Sequence, residues 1–144
     1  MTNQKIDKLI RACKIGDIEK VKYLVDHGAG IHADNEYALR WSASRGHLGV
    51  VKYLVEQGAD IHAINNASLR LAANNSHLEV VNYLVEHGAD VHVDNDYILR
   101  FVAKRGYLEM VNYLREVVGN KWKCYNCIVR ITCLKLCEDW NKNV

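Results

Sequence analysis

Four stretches of this chain are near copies of one another, set thirty residues apart. Val21-Lys22-Tyr23-Leu24 returns as Val51-Lys52-Tyr53-Leu54, Val81-Asn82-Tyr83-Leu84 and Val111-Asn112-Tyr113-Leu114. The same step joins Gly28-Ala29, Gly58-Ala59 and Gly88-Ala89, then His32, His62 and His92, then Leu39-Arg40, Leu69-Arg70 and Leu99-Arg100. No insertion breaks the register up to residue 114. A repeat of this length is one supersecondary unit that cannot bury its own apolar face. A large apolar side chain gains roughly 1.5–3 kcal/mol on burial, whereas ordering backbone costs roughly 1–2 kcal/mol per residue. Roughly eight core side chains cannot offset that loss over a whole unit. The units must therefore stack, each covering the next.

Within a unit the pattern reads as two helices. In residues 47–57, Leu48, Val51, Leu54 and Val55 form an apolar stripe of helical period. Gly28, Gly58 and Gly88 follow this second helix and accept the left-handed dihedrals of a helix stop. Asn35, Asn65 and Asn95 share a column ahead of the first helix. Asparagine is a favoured N-cap, so these helices are expected to start at residues 36, 66 and 96. Leu39, Ser42 and Ala43 would face inward, their small neighbours allowing close helix approach. Gly46 and Gly106 break the chain between helices, with Ser76 in the same column.

Residues 46–60, Gly-His-Leu-Gly-Val-Val-Lys-Tyr-Leu-Val-Glu-Gln-Gly-Ala-Asp, strongly resemble the second half of an ankyrin repeat, and residues 76–90 match as well. The short period and the Ala-Asp-Ile-His tetrad resemble the ankyrin arrays of giant DNA viruses. The resemblance implies an all-α solenoid of helix–turn–helix units. Where the family carries Thr-Pro-Leu-His, this chain has Tyr37-Ala38-Leu39-Arg40, Ala67-Ser68-Leu69-Arg70 and Tyr97-Ile98-Leu99-Arg100. The family unit is three residues longer, and the missing residues fall in its β-hairpin finger. A tight loop with little or no strand is expected instead. Arg40, Arg70 and Arg100 would stack along the first helices and bond loop carbonyls or carboxylates.

The expected division is an N-terminal capping repeat at 1–32, repeats at 33–62, 63–92 and 93–122, and a degenerate cap at 123–144, all in one solenoid domain. In the last segment, Ile128-Val129-Arg130-Ile131-Thr132-Cys133 keeps register with Ile98 to Ala103 and reads as a closing helix. Its β-branched run also fits a strand.

Nineteen basic and seventeen acidic side chains leave a formal charge of +2, which gives no broad electrostatic case for nucleic acid or membrane. A nucleic-acid surface would have to rest on Lys121, Lys123, Arg130 and Lys135 alone. No secretory pattern opens the chain and no apolar run reaches membrane-spanning length. Five cysteines, an odd count, fit free thiols in a reducing intracellular compartment, which for a viral protein is the host cell.

Cys124, Cys127, Cys133 and Cys137 are four thiols, the number tetrahedral zinc requires, although their span is short for a zinc ribbon. Against that, Cys133 shares the small-residue column of Cys13, Ala43, Ala73 and Ala103, where a free cysteine acts as a small hydrophobe. His32, His62 and His92 stand one repeat apart, too far for one metal to collect, and structural roles account better for the histidines. No nucleotide-binding or zinc-protease motif occurs, so no catalytic residue is named and no cofactor is expected.

The expected function is that of a non-catalytic scaffold or adaptor binding another protein, with a zinc module on the C-terminal cysteines as the alternative. The resemblance implies partners along the concave face of loop tips and first helices. The candidate contacts there are Asp34, Glu36, Tyr37, Ser44, Arg45, Asn66, Asn74, Asn75, Asp94, Asp96, Tyr97, Lys104 and Arg105. They vary between repeats while the core columns do not. Asp34, Glu36, Asp94 and Asp96 would form an acidic rim opposite Arg45, Lys104 and Arg105. Tyr37 and Trp41, like Tyr97 and Phe101, lie on one helix face. Tyrosine, tryptophan and arginine are the side chains enriched in hot spots. Trp41, Leu71 and Phe101 are better read as filling between repeats. The chain is expected to act as a monomer.

Overall fold

The computed structural model describes residues 2–118, and these form eight helices with no strand among them. In chain order they are α1 (Thr2–Ile15), α2 (Ile18–Asp26), α3 (Ala33–Arg45), α4 (Leu48–Glu56), α5 (Ala63–Asn74), α6 (Leu78–Glu86), α7 (Val93–Arg105) and α8 (Leu108–Val118). The chain divides into two compact units, Met1–Asp90 and Val91–Val144. The proposed closing segment beyond residue 118, with its helix-or-strand alternative, lies outside the described residues.

In the first unit the odd-numbered helices form one row and the even-numbered ones another. Helix α1 packs on α3 and α3 on α5, while α2 packs on α4 and α4 on α6. Each odd helix also packs on the even one that follows it. Leu9, Ala12 and Cys13 sit at i, i+3 and i+4 on α1, and Leu39, Ser42, Ala43 and Leu69, Ala72, Ala73 repeat that triad; all nine are buried. The second helices contribute Val21 and Leu24, Val50, Val51 and Leu54, and Val80, Val81 and Leu84. In the second unit α7 packs on α8, burying Leu99 and Val102 with Met110, Val111 and Leu114.

Helices α2 to α7 are all closed by the same two bonds. After α2, the Gly28 N–H donates to the Val25 carbonyl and the Ala29 N–H to the Leu24 carbonyl, each at 2.9 Å. This pair is a Schellman closure, and Ala29 and Leu24 are both buried beneath it. The closure recurs after α4 and α6. The first helices end in the same way, Gly46 N–H to Ala43 O (3.2 Å) and His47 N–H to Ser42 O (3.0 Å) after α3. The glycine supplies φ +76° there, and Ser76 holds the equivalent position at φ +61°.

The segment ahead of each first helix departs from the expected N-cap. Asp34, Asn35 and Glu36 are all left-handed, with φ of 51°, 54° and 62°, and so are Ile64, Asn65 and Asn66. Asn35 and Asn65 are therefore the middle of a left-handed turn rather than caps, and right-handed helix begins one residue later than expected, at Tyr37 and Ala67. Asparagine and aspartate tolerate this region better than other side chains, which explains why they fill these columns. The turn takes the place of the family's hairpin finger, so the expected loss of strand holds.

The arginine column secures the turn. Arg40 Nη2 donates to the Asp34 carbonyl (2.8 Å), Arg70 Nη2 to Ile64 O (3.4 Å) and Arg100 Nη2 to Asp94 O (3.2 Å). These are loop carbonyls, as expected, but they belong to the arginine's own repeat. His32 Nδ1 bonds the Glu36 carboxylate at 2.5 Å and His62 Nδ1 the Asn66 Oδ1 at 3.2 Å, closing each turn from the other side.

Candidate functional site

The first helices of the first unit present one side that the core does not use. Four columns reach it, read from α1 to α5: Asp7 and Tyr37, ending at the buried Ala67; Arg11, Trp41, Leu71; Lys14, Ser44, Asn74; and Ile15, Arg45, Asn75. Trp41 is half-buried at the middle of α3. Tyr37, one turn earlier, meets it edge-on with ring centroids 5.9 Å apart. Lys14 Nζ, from α1, lies 4.3 Å from the indole centroid and 5.8 Å from the Tyr37 ring. The Arg45 guanidinium stands 5.6 Å from the same indole, and Arg40 stands 5.2 Å from Tyr37. Two rings thus hold three cations at cation–π range. Beside them, Asn75 Nδ2 donates to Ser44 Oγ at 3.2 Å, linking α5 to α3 across the face.

Of the candidate contacts in this unit, Asp34, Arg45 and Asn75 are exposed, and Tyr37, Ser44 and Asn74 are half-buried. Two assignments are corrected. Glu36 is 4% exposed, spent on His32, and Asn66 is 5% exposed. The Asn66 Oδ1 accepts from the Asp90 N–H (2.9 Å) as well as from His62. Both side chains point inward because the left-handed turn swings residue 36 or 66 beneath the loop. The proposed acidic rim accordingly loses Glu36. In the second unit Asp94, Lys104 and Arg105 are exposed, Tyr97 is half-buried, and Asp96 is tied to His92 at 2.7 Å. Arg105 lies 5.3 Å from the Phe101 ring, and Tyr97 and Phe101 are 5.8 Å apart.

Lys14 was not among the sequence candidates, although the thirty-residue step puts it in the column of Ser44, Asn74 and Lys104. Extending that column back into the capping repeat would have found it. Lys14 and Arg45 both stand within cation–π range of the Trp41 ring.

The histidines have fixed structural partners. His27 and His87 donate from Nδ1 to the carbonyls of Tyr23 and Tyr83, each at 2.7 Å, and stack on those rings. His47 Nε2 donates to Lys14 O and His77 Nε2 to Ser44 O, both at 3.0 Å, tying each repeat to the one before. The rings lie on glycine: a Cβ at Gly16 or Gly46 would sit 2.5 Å from the Nδ1 of His47 or His77. Among the described residues no three His, Cys, Asp or Glu side chains converge as metal ligands. The zinc alternative, Cys124, Cys127, Cys133 and Cys137, and the basic residues Lys121, Lys123, Arg130 and Lys135 lie outside the described residues. Cys13 is fully buried, and burial pushes its thiol up to about 11 while a hydrogen bond with Ser42 acts the other way.

Helix pairs set in two rows and closed alike define an all-α repeat solenoid. Models of ankyrin repeats match residues 3–65 and 69–115, and the chain belongs to the ankyrin repeat family. Repeats of this family in general mediate protein–protein interaction and are non-catalytic scaffolds. No curated protein matches the chain. No described helix is long and apolar enough to cross a membrane.

Proposed function

We propose that this protein is a non-catalytic adaptor that binds another protein on the face made by its first helices. One observation carries the reading. The inward columns are nearly uniform, Leu9, Leu39 and Leu69 or Cys13, Ala43 and Ala73, while the outward columns of the same helices change chemistry at every repeat. Packing requires the first and has no use for the second. The face also carries the tyrosine, tryptophan and arginine side chains that anchor interfaces. Asp34, Tyr37, Ser44, Arg45, Asn74 and Asn75 are its contact residues, joined by Lys14 and Trp41; Asp94, Tyr97, Lys104 and Arg105 supply the corresponding positions of the second unit. The short period and the buried, unpaired Cys13 thiol favour a monomeric viral-type array at work in the reducing interior of a host cell.

Proximity labelling followed by mass spectrometry identifies the partner. Changing Trp41, Arg45 and Asn75 together to alanine should abolish its capture and leave the far-ultraviolet circular dichroism spectrum unchanged. Capture that survives the triple substitution refutes the assignment of the face.

A further inference from the structure

We propose that the first-helix face of the first unit is built for an acidic partner segment, one that sets carboxylates against Lys14 and Arg45 and an apolar side chain against Trp41. The inference rests on the protein-binding reading above and adds the chemistry of what is bound.

Among the described residues, ion pairs include Lys22 with Glu19, His32 with Glu36 and His92 with Asp96; Lys14, Arg40 and Arg45 make none with a carboxylate. Their neighbours are instead the faces of Trp41 and Tyr37. A cation over an aromatic ring keeps most of its charge available on the side away from the ring. Arg11, exposed in the Trp41 column, adds a further positive charge.

Carboxylates are gathered elsewhere. Asp26, Glu56 and Glu86 form a column at the ends of the second helices. There, after the larger effect of burial, Asp26 raises the Tyr53 hydroxyl and Glu56 the Tyr83 hydroxyl. On the turn ahead of α3, Glu36 is buried on His32 and Asp34 is the exposed acid. In this unit the first helices thus carry the cations that stand over Tyr37 and Trp41, while the Asp26, Glu56 and Glu86 column lies on the second helices.

A partner that fits must neutralise Lys14 and Arg45 and cover a half-buried indole, with Ile15, 69% exposed, next to Lys14 in the chain. An acidic peptide with an interspersed apolar residue does both. Charge complementarity of this kind sets orientation and association rate as well as affinity. Single-stranded nucleic acid also pairs phosphates with cations and bases with rings. The face is a poor match to it, because Ser44, Asn74 and Asn75 continue the surface without positive charge and Asp7 opens it with a negative one.

The test is selection of a random peptide display library on the full chain, with counter-selection on a Trp41→Ala/Arg45→Ala variant. Face-dependent clones should be enriched in Asp and Glu around an apolar residue. A synthetic copy of the best clone should bind about tenfold or more weakly to Lys14→Glu/Arg45→Glu. The same peptide with its acids changed to lysine should bind the reversed variant better than the parent protein. Should the reversed variant fail to fold, Lys14→Gln/Arg45→Gln reads out the loss of binding. Face-dependent clones without acidic bias refute the chemistry and leave the interface standing, whereas no face-dependent clone refutes both. Acidic clones insensitive to Lys14 and Arg45, or peptide displaced from them by oligothymidylate, overturn the proposal.

Discussion

Replacing Gly46 with alanine separates two costs that coincide at this residue. The first is conformational. Gly46 has φ +76°, where a Cβ costs roughly 1–2 kcal/mol. The second is steric: the added carbon would lie 2.5 Å from Nδ1 and 2.8 Å from Cε1 of His77. That ring is fixed by its Nε2 bond to Ser44 O at 3.0 Å, so it cannot yield without losing the bond. Overpacking of this sort costs typically about 1–3 kcal/mol, and the hydrogen bond about 1 kcal/mol more.

Gly58 supplies the control, since its φ of +93° carries the conformational penalty and nothing lies within 4 Å of its added Cβ. Gly46→Ala should therefore destabilise the protein by about 2–4 kcal/mol more than Gly58→Ala. At an m-value near 2 kcal/mol per molar in urea, that is a midpoint about 1–2 M lower. Adding His77→Ala to Gly46→Ala should return part of the loss, a coupling visible in a double-mutant cycle. Equal midpoints for the two glycine variants, or no coupling to His77, would refute the reading that the imidazole on glycine is what locks one repeat to the next.

Ile64 is a β-branched residue at φ 50°, with 46% of its surface exposed, in a column where the other repeats carry Asp34 and Asp94. Ile64→Asp should raise stability by about 1 kcal/mol, and a lower urea midpoint would show that packing of the isoleucine outweighs its dihedral. Cys13 should resist thiol reagents in the native protein at neutral pH and react at once in denaturant; rapid native labelling of Cys13, located by peptide mapping, would contradict its burial. Its thiol rises from 9.0 to about 11 on folding. The native state then holds a proton that the unfolded state has released, so this contribution is intact below pH 9 and is lost as pH climbs toward 11, by about 3 kcal/mol in total. Cys13→Ala, which matches Ala43 and Ala73 in its column, should flatten that alkaline slope relative to the parent, and parallel slopes would exclude Cys13 as its source.

The helix pairs and their buried columns were legible because burial leaves a period in the sequence. Leu39, Ser42, Ala43, Val51 and Leu54 all face inward as the stripe requires. The turns were not legible in the same way. Asn35 and Asn65 are as suitable for a left-handed residue as for a cap, and the choice depends on three consecutive dihedrals that no periodicity encodes. That choice turned Glu36 and Asn66 inward and removed them from the candidate surface. Lys14 falls outside the candidate set for a different reason: the column carried back into the capping repeat is the inward one of Cys13, Ala43 and Ala73, and Lys14 belongs to the outward column beside it.

The bonds that hold the stack and the groups that form the face meet in the same residues. Lys14 accepts from His47 through its carbonyl while its ammonium lies on Trp41. Ser44 accepts from His77 through its carbonyl while its hydroxyl accepts from Asn75. The last turns of α1 and α3 are therefore anchored by the next repeat at the residues whose side chains face outward. Such anchoring removes backbone freedom before any partner arrives, which lowers the ordering cost of binding. It also means that a half-buried histidine between repeats acts on the surface at one remove. Loosening His47 frees the Lys14 backbone, and with it the spacing between the ammonium and the indole, without touching a residue that meets the partner.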